Sequence, residues 1–179
     1  MSKRIKTPKG IIAIRSAIPD DAVALRELRL EALANHPEAF AADYASTAAE
    51  PVELRVERVA NNAIENMGVV CVASAENQLI GMSGLVRGNR PKTCHTGTIW
   101  GVYVKADWRG FHVAEAMVQE CIAWAQEHGV TVVKLAVITS NTSAIRCYAR
   151  CGFTVYGIDP KVIYYNGVYY DELLMVKPI

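Results

Sequence analysis

Two stretches of this chain set chemically capable residues at fixed spacing. The first runs Val102-Tyr103-Val104-Lys105-Ala106-Asp107-Trp108-Arg109-Gly110-Phe111-His112-Val113-Ala114. It passes from strand formers through a tight turn into an apolar-periodic helix. A helix that begins this way aims free backbone N–H groups and the positive end of its dipole at one point. Such a point binds phosphate or diphosphate. Arg109 adds a cation, and Gly110 lets the backbone approach a ligand closely. The second stretch runs from Asn141 through Ala144 and Tyr148 to Gly152-Phe153. Asn141 can cap a helix, Ala144 is small, and Tyr148 lies one turn further along the same face. A tyrosine phenol stays protonated near neutrality and can donate a proton. Taken singly, the stretches also read as an ordinary strand-to-helix turn and a capped helix with a half-buried tyrosine.

The elements that must position these residues follow from periodicity and punctuation. Ile11–Arg15 reads as a first strand. Pro19-Asp20-Asp21 opens a helix carrying Ala22, Leu25, Leu28, Ala32 and Leu33 on one face. Residues 37–50 form a loop or short helix, and a second helix near Pro51 carries Val52, Val56, Val59, Ala60 and Ala63. Gly68–Ala75 and Leu79–Val86 pair as antiparallel strands across a short turn, and Thr96–Val104 is the next strand. A long amphipathic helix spans about Gly110 to His128, with Gly129 where a helix end favours glycine. Val130–Ile138 is dense in β-branched residues and reads as a central strand. Asn141–Arg150 is a short helix, Phe153–Gly157 a strand, and Asn166-Gly167 the turn of a hairpin. The order is β-α-α-β-β-β-α-β-α-β-β. The crossover from Thr96–Val104 to Val130–Ile138 makes those two strands parallel in an α/β (α+β), mostly antiparallel sheet of about seven strands.

The first stretch resembles the acetyl-CoA signature Arg/Gln-x-x-Gly-x-Gly/Ala of the GNAT (GCN5-related N-acetyltransferase) family. Arg109 stands at its first position and Ala114 at its last, while His112 stands where the family has glycine. The His112 side chain either projects away or brings its imidazole towards the phosphates. The second stretch resembles the family's Asn-x-x-Ala-x-x-x-Tyr-x-x-x-Gly-Phe segment. The two occur in family order, one helix and one strand apart, and the resemblance extends over almost the whole chain.

The resemblance implies that the two parallel strands splay and admit the donor between them. Cofactor contacts would come from Val102, Tyr103 and Val104, from Arg109, Gly110, Phe111, His112, Val113 and Ala114, and from Asn141, Ala144 and Tyr148. It implies direct transfer of an acetyl group to a small-molecule or peptide amine, with Tyr148 returning a proton to the leaving thiolate. No metal is implied. Glu31, His95, Asp171 and Glu172 are candidate bases, and none is assigned because a water relay would serve. A catalytically inactive acetyl-CoA-binding sensor on the same fold is the alternative. Tyr164, Tyr165, Tyr169 and Tyr170 read as hairpin partners, with an acceptor pocket or an interface as the other readings.

Composition narrows the field further. The chain has 179 residues, a formal net charge of +1 and 21% charged residues. That balance carries no electrostatic footprint for nucleic acid or an anionic membrane, and no apolar run is long enough to span a bilayer. Cys71, Cys94, Cys121, Cys147 and Cys151 are odd in number and contain no CxxC, which fits a reducing cytoplasm better than a disulfide framework. Cys147 and Cys151 share a helix face as small core residues. No GxGxxG follows the first strand, which argues against dinucleotide binding. Residues 1–10, with Lys3, Arg4, Lys6 and Lys9, read as a flexible tail. Residues 11–179 read as one domain, with a homodimer among the readings.

Overall fold

A computed structural model of the chain describes residues 3–51, 53–54 and 67–179. The strands among them are β1 (Lys3–Thr7), β2 (Gly10–Ser16), β3 (Gly68–Ala75), β4 (Gln78–Arg87), β5 (Thr96–Val104), β6 (Val132–Ile138), β7 (Thr154–Tyr165) and β8 (Val168–Pro178). The helices are α1 (Ala22–Asn35), α2 (Tyr44–Ala49), α3 (Val113–Glu127) and α4 (Thr142–Arg150). The expected helix built on Val52, Val56, Val59, Ala60 and Ala63 lies outside the described residues.

The strands form one sheet in the order β1-β2-β3-β4-β5-β6-β8-β7. The mixed, mostly antiparallel architecture is as expected, with β5 and β6 as its parallel pair. The strand number is eight, not about seven. The additional strand is β1, which pairs with β2 from Lys3↔Ile14 to Thr7↔Gly10. Lys3–Thr7 is therefore an edge strand and not a frayed tail. Its alternating charges resemble a solvated segment because charge is also how exposed sheet edges are protected.

Apolar residues on α1 and α3 bury the two faces of this sheet. On one side Val113, Met117, Val118, Cys121 and Ala125 of α3 join Ile14, Leu85, Val133 and Met175. On the other, Leu25, Leu28 and Ala32 of α1 pack with Val72, Met82 and Tyr103. Strands covered on both faces read as nearly continuous apolar runs, which explains GVVCVASA in β3. At the entry to α1, Arg15 grips Asp21 through both guanidinium nitrogens (2.6 and 2.8 Å), and Ile18 N donates to the same carboxylate (2.8 Å). These bonds, led by that from Arg15, hold the Asp21 carboxyl below the usual range. Asn166 and Gly167 both have positive φ (48° and 80°), the conformation of a tight hairpin turn. The hairpin is longer than expected, because Thr154–Gly157 and Tyr164-Tyr165 belong to one irregular strand, which starts just after Phe153.

Candidate functional site

An opening in the fold lies where β5 and β6 part. Their pairing is confined to Thr96↔Val132, Gly97↔Val133 and Thr98↔Lys134. Beyond those residues each strand stays paired on its outer side, β5 to β4 as far as Val104↔Gly81 and β6 to β8 as far as Ile138↔Glu172. The facing edges of residues 99–104 and 135–138 therefore have no ladder between them, and they line a cleft of about 660 Å³. A bulge in β5 assists the divergence. Gly101 and Val102 together oppose Ser83 of β4, with Gly101 at φ +65°. A bulge of this kind bends its strand and re-aims the backbone.

At one end the cleft meets α3. The first intrahelical bond there is Ala116 N to His112 O (3.0 Å), and no side chain caps the helix. The N–H groups of Val113, Ala114 and Glu115 are thus orphan donors at the positive end of the helix dipole. Gly110 (φ +86°) and His112 (φ +58°) both take left-handed backbone to bring the chain into α3. Glycine does this freely, and histidine does so at a cost.

The His112 imidazole lies beside the first turn of α3, its Nδ1 2.7 Å from Glu115 Oε2. The same oxygen accepts from Arg150 Nε of α4 at 2.8 Å. Partial burial would raise the Glu115 carboxyl, but the bonds from His112 and Arg150 outweigh it and hold the group below its ordinary range. The two walls of the cleft are joined at its rim by this ionised carboxylate. Arg146 also lines the opening.

All but one of the residues expected at a donor site line this cleft: Val102, Tyr103, Val104, Arg109, Gly110, His112, Val113, Ala114, Asn141, Ala144 and Tyr148. The exception is Phe111, which packs against the main core. Arg109 is positioned by the strand end, its Nε donating to Val104 O (2.9 Å) while its Nη2 lies 3.0 Å from His36 Nε2. An arginine only donates, so that imidazole nitrogen accepts. Asn141 caps α4, its Oδ1 accepting from Ala144 N (3.1 Å) and Ser143 Oγ (3.0 Å). Tyr148 is 7% exposed, edge-on to Phe153 with ring centroids 6.3 Å apart. Burial, assisted by Cys147 and Cys151, pushes its phenol above the ordinary tyrosine range.

None of the four candidate bases lines the cleft. Glu31 accepts from Tyr103 Oη (2.8 Å) and faces Lys105 (3.5 Å). His95 precedes β5 and receives Thr131 N and Val132 N on its carbonyl oxygen. Asp171 accepts from Lys161 N (2.8 Å). Glu172 stands opposite Asp159 across the hairpin, and burial, then that neighbour, raises its carboxyl. The cleft is walled instead by His36 and Glu38, from the turn after α1, and by Trp100. Sequence reading missed these, because His36-Pro37 signals only a helix end. Glu115 was findable in principle, lying three residues past His112 on one helix face. Among the described residues no cluster of three metal-ligating side chains occurs, and no helix is long and apolar enough to cross a membrane.

Residues 27–153 match the family described as Acetyltransferase (GNAT) family. The chain is similar to the L-amino acid N-acetyltransferase AaaT of Escherichia coli (strain K12), with 28% identity over 110 residues. That match covers 59% of this chain and 65% of the relative, just under two thirds of its length. In structure the chain resembles the GNAT-family acetyltransferase from Streptococcus pneumoniae (TM-score 0.85, 23% identity, covering 94% of this chain and 99% of that one). It also resembles yncA from Salmonella typhimurium, solved with its cofactor acetyl-CoA (TM-score 0.82, 19% identity, 93% of each chain). Both of these structural likenesses are likenesses of fold.

Proposed function

This chain belongs to the acetyltransferase (GNAT) family, and from that premise we propose that it transfers an acetyl group from acetyl-CoA to an amine by direct attack, both substrates being held together in the cleft. The observation that carries this reading is the parting of β5 from β6 after Thr98 and Lys134, with the uncapped start of α3 at its end. An extended, amide-bearing arm fits a gap whose edges lack a ladder. A diphosphate fits orphan N–H groups at a helix start, with Arg146 on the facing wall. When bound, acetyl-CoA supplies an activated thioester.

The chain's own residues do the rest. The main chain of Val102 and Val104 holds the arm, Arg109, Gly110, His112, Val113 and Ala114 shape the phosphate end, and Asn141 and Ala144 border the arm from α4. Tyr148 keeps its proton at neutral pH and delivers it to the departing sulfur. The acceptor, a small-molecule or peptide amine, enters past His36, Glu38 and Trp100, and its proton leaves through water. Five free cysteines suit a reducing compartment such as the cytoplasm. The relatives' transferase names favour this reading over a silent acetyl-CoA sensor.

The test is CoA thiol release from acetyl-CoA in the presence of free amino acids, simple amines and short peptides. The proposal expects release that depends on at least one amine and yields the acetylated product by mass. Release no faster than acetyl-CoA hydrolysis with every amine, while acetyl-CoA still binds, would contradict it.

A further inference from the structure

His112 stands where glycine would serve the turn into α3 without strain. Its backbone is left-handed (φ 58°, ψ 22°), a conformation that is costly for a residue with a Cβ. Costly backbone of this kind gathers at functional sites. The imidazole is 68% exposed and lines the cleft. Next to it in the chain come the orphan N–H groups of Val113, Ala114 and Glu115.

Its hydrogen-bond partner fixes where its protons sit. Glu115 Oε2 lies 2.7 Å from His112 Nδ1 and accepts from Arg150 Nε at 2.8 Å. Against its partial burial, those two bonds hold the Glu115 carboxyl below its ordinary range, so it stays ionised. An ionised carboxylate only accepts, so the neutral ring carries its proton on Nδ1. Nε2 is then the nitrogen that can take a second proton.

The other charged and titratable side chains lining the donor end of the cleft are Arg109, Arg146, Arg150, Cys147 and Tyr148. The arginines keep their charge throughout. The Cys147 thiol is pushed up by its bond with Cys151 and by burial, and the Tyr148 phenol by burial. Cys151 lies behind Glu115, its thiol 4.0 Å from that residue's carbonyl oxygen. A second imidazole, His36, has its Nε2 already accepting from Arg109. Histidine is the side chain whose charge changes between about pH 5 and 8. A diphosphate brought to the start of α3 adds negative charge beside the His112 ring and favours its cationic form.

We propose that His112 couples donor binding to proton uptake: acetyl-CoA held at the start of α3 draws a proton from solvent onto Nε2, and the imidazolium so formed joins the anion site. The inference rests on the cleft being the donor site. It gives this chain a pH-sensitive grip on its donor that glycine at position 112 would lack. The complex then binds more protons than the free protein. Affinity therefore falls as pH rises through the imidazole's range and levels off on either side of it. Because the ring is exposed, added salt weakens the coupling.

Calorimetric titration of the full chain with acetyl-CoA at about pH 7, repeated in PIPES, HEPES and Tris, reads the protons taken up. The heat changes with the buffer's own ionisation heat in proportion to that uptake. The comparison chains are His112→Asn, whose side chain tolerates left-handed backbone and gains no proton, and His112→Gly. Circular dichroism confirms that each is folded. The donor's own phosphomonoester titrates near pH 6, so the uptake due to His112 is the excess of the wild type over both variants. An excess of roughly 0.3–0.5 proton per bound donor is expected. Between about pH 5.5 and about pH 8.5 the wild-type Kd should rise about fivefold more than that of either variant. Binding without excess uptake, or a Kd that follows pH equally in all three chains, overturns the proposal and leaves the donor site standing. No heat from any of the three at millimolar acetyl-CoA overturns the donor site, and the proposal with it.

Discussion

Tyr148 is a phenol at 7% exposure on a cleft wall, and burial disfavours its ionised form. An environment that pushes the phenol up keeps the proton in place at neutral pH, so the group is present there in its proton-donating form. Tyr148→Phe is expected to lower kcat by about a hundredfold while leaving the calorimetric Kd for acetyl-CoA unchanged. Equal turnover in the variant would remove Tyr148 from the chemistry. The sign of the pH dependence follows. A group needed with its proton on fails only as pH rises through its pKa, and this pKa is raised. No alkaline fall in kcat is therefore expected below about pH 10. His112 poses a different question at the same scale. It sits at φ 58°, ψ 22° and is tied to Glu115. His112→Ala loses the tie and keeps a Cβ in left-handed backbone, whereas His112→Gly loses both. Urea denaturation should find the glycine variant more stable than the alanine variant by about 1 kcal/mol. Equal stabilities would mean that the backbone there is not left-handed.

The cleft is a property of two strands and the helix between them. β5 and β6 begin in register and then separate because β4 and β8 hold them from outside. The bulge at Gly101 re-aims the part of β5 that lines the gap. A Cβ at Gly101 would come no nearer than 3.7 Å to another atom outside its immediate neighbourhood, Arg29 Nη1, so the cost of Gly101→Ala lies in its φ of +65°. That substitution should cost about 1 kcal/mol of stability and raise the Kd for acetyl-CoA by about tenfold. A variant with unchanged Kd and unchanged melting temperature would show that the bulge does not shape the site. The strand-turn-helix from Val102 to Ala114 was legible because its glycine, arginine and apolar period are local signals. The Asn141 cap was legible for the same reason, since its acceptor bond spans three residues. The bulge was not legible, because a glycine within a strand fixes neither the register nor the partner. Nor was the Glu115 clasp between α3 and α4, because Arg150 meets it across 35 residues of chain. The turn bearing His36 and Glu38 escaped notice for a similar reason: only the folded sheet brings it to the opening.

At the scale of the molecule, the described residues form a single sheet with α1 on one face and α3 on the other, and the two recognised stretches converge on the gap between β5 and β6. The order of the described elements from β2 onward was readable from periodicity, since the apolar runs are separated by clear breaks. The number of strands was not, because β1 and β7 are edge strands whose charges and bulges look like loop chemistry. A donor that binds only the folded chain should stabilise it by about 2.7 kcal/mol when present at about a hundred times its Kd. The most direct test of the central claim is a calorimetric titration of the intact protein with acetyl-CoA, repeated with free CoA as competitor and NADH as control. One saturable site per chain is predicted, displaced by CoA and indifferent to NADH. No heat at millimolar acetyl-CoA would contradict the account, because the opening between β5 and β6 would then not be a donor site.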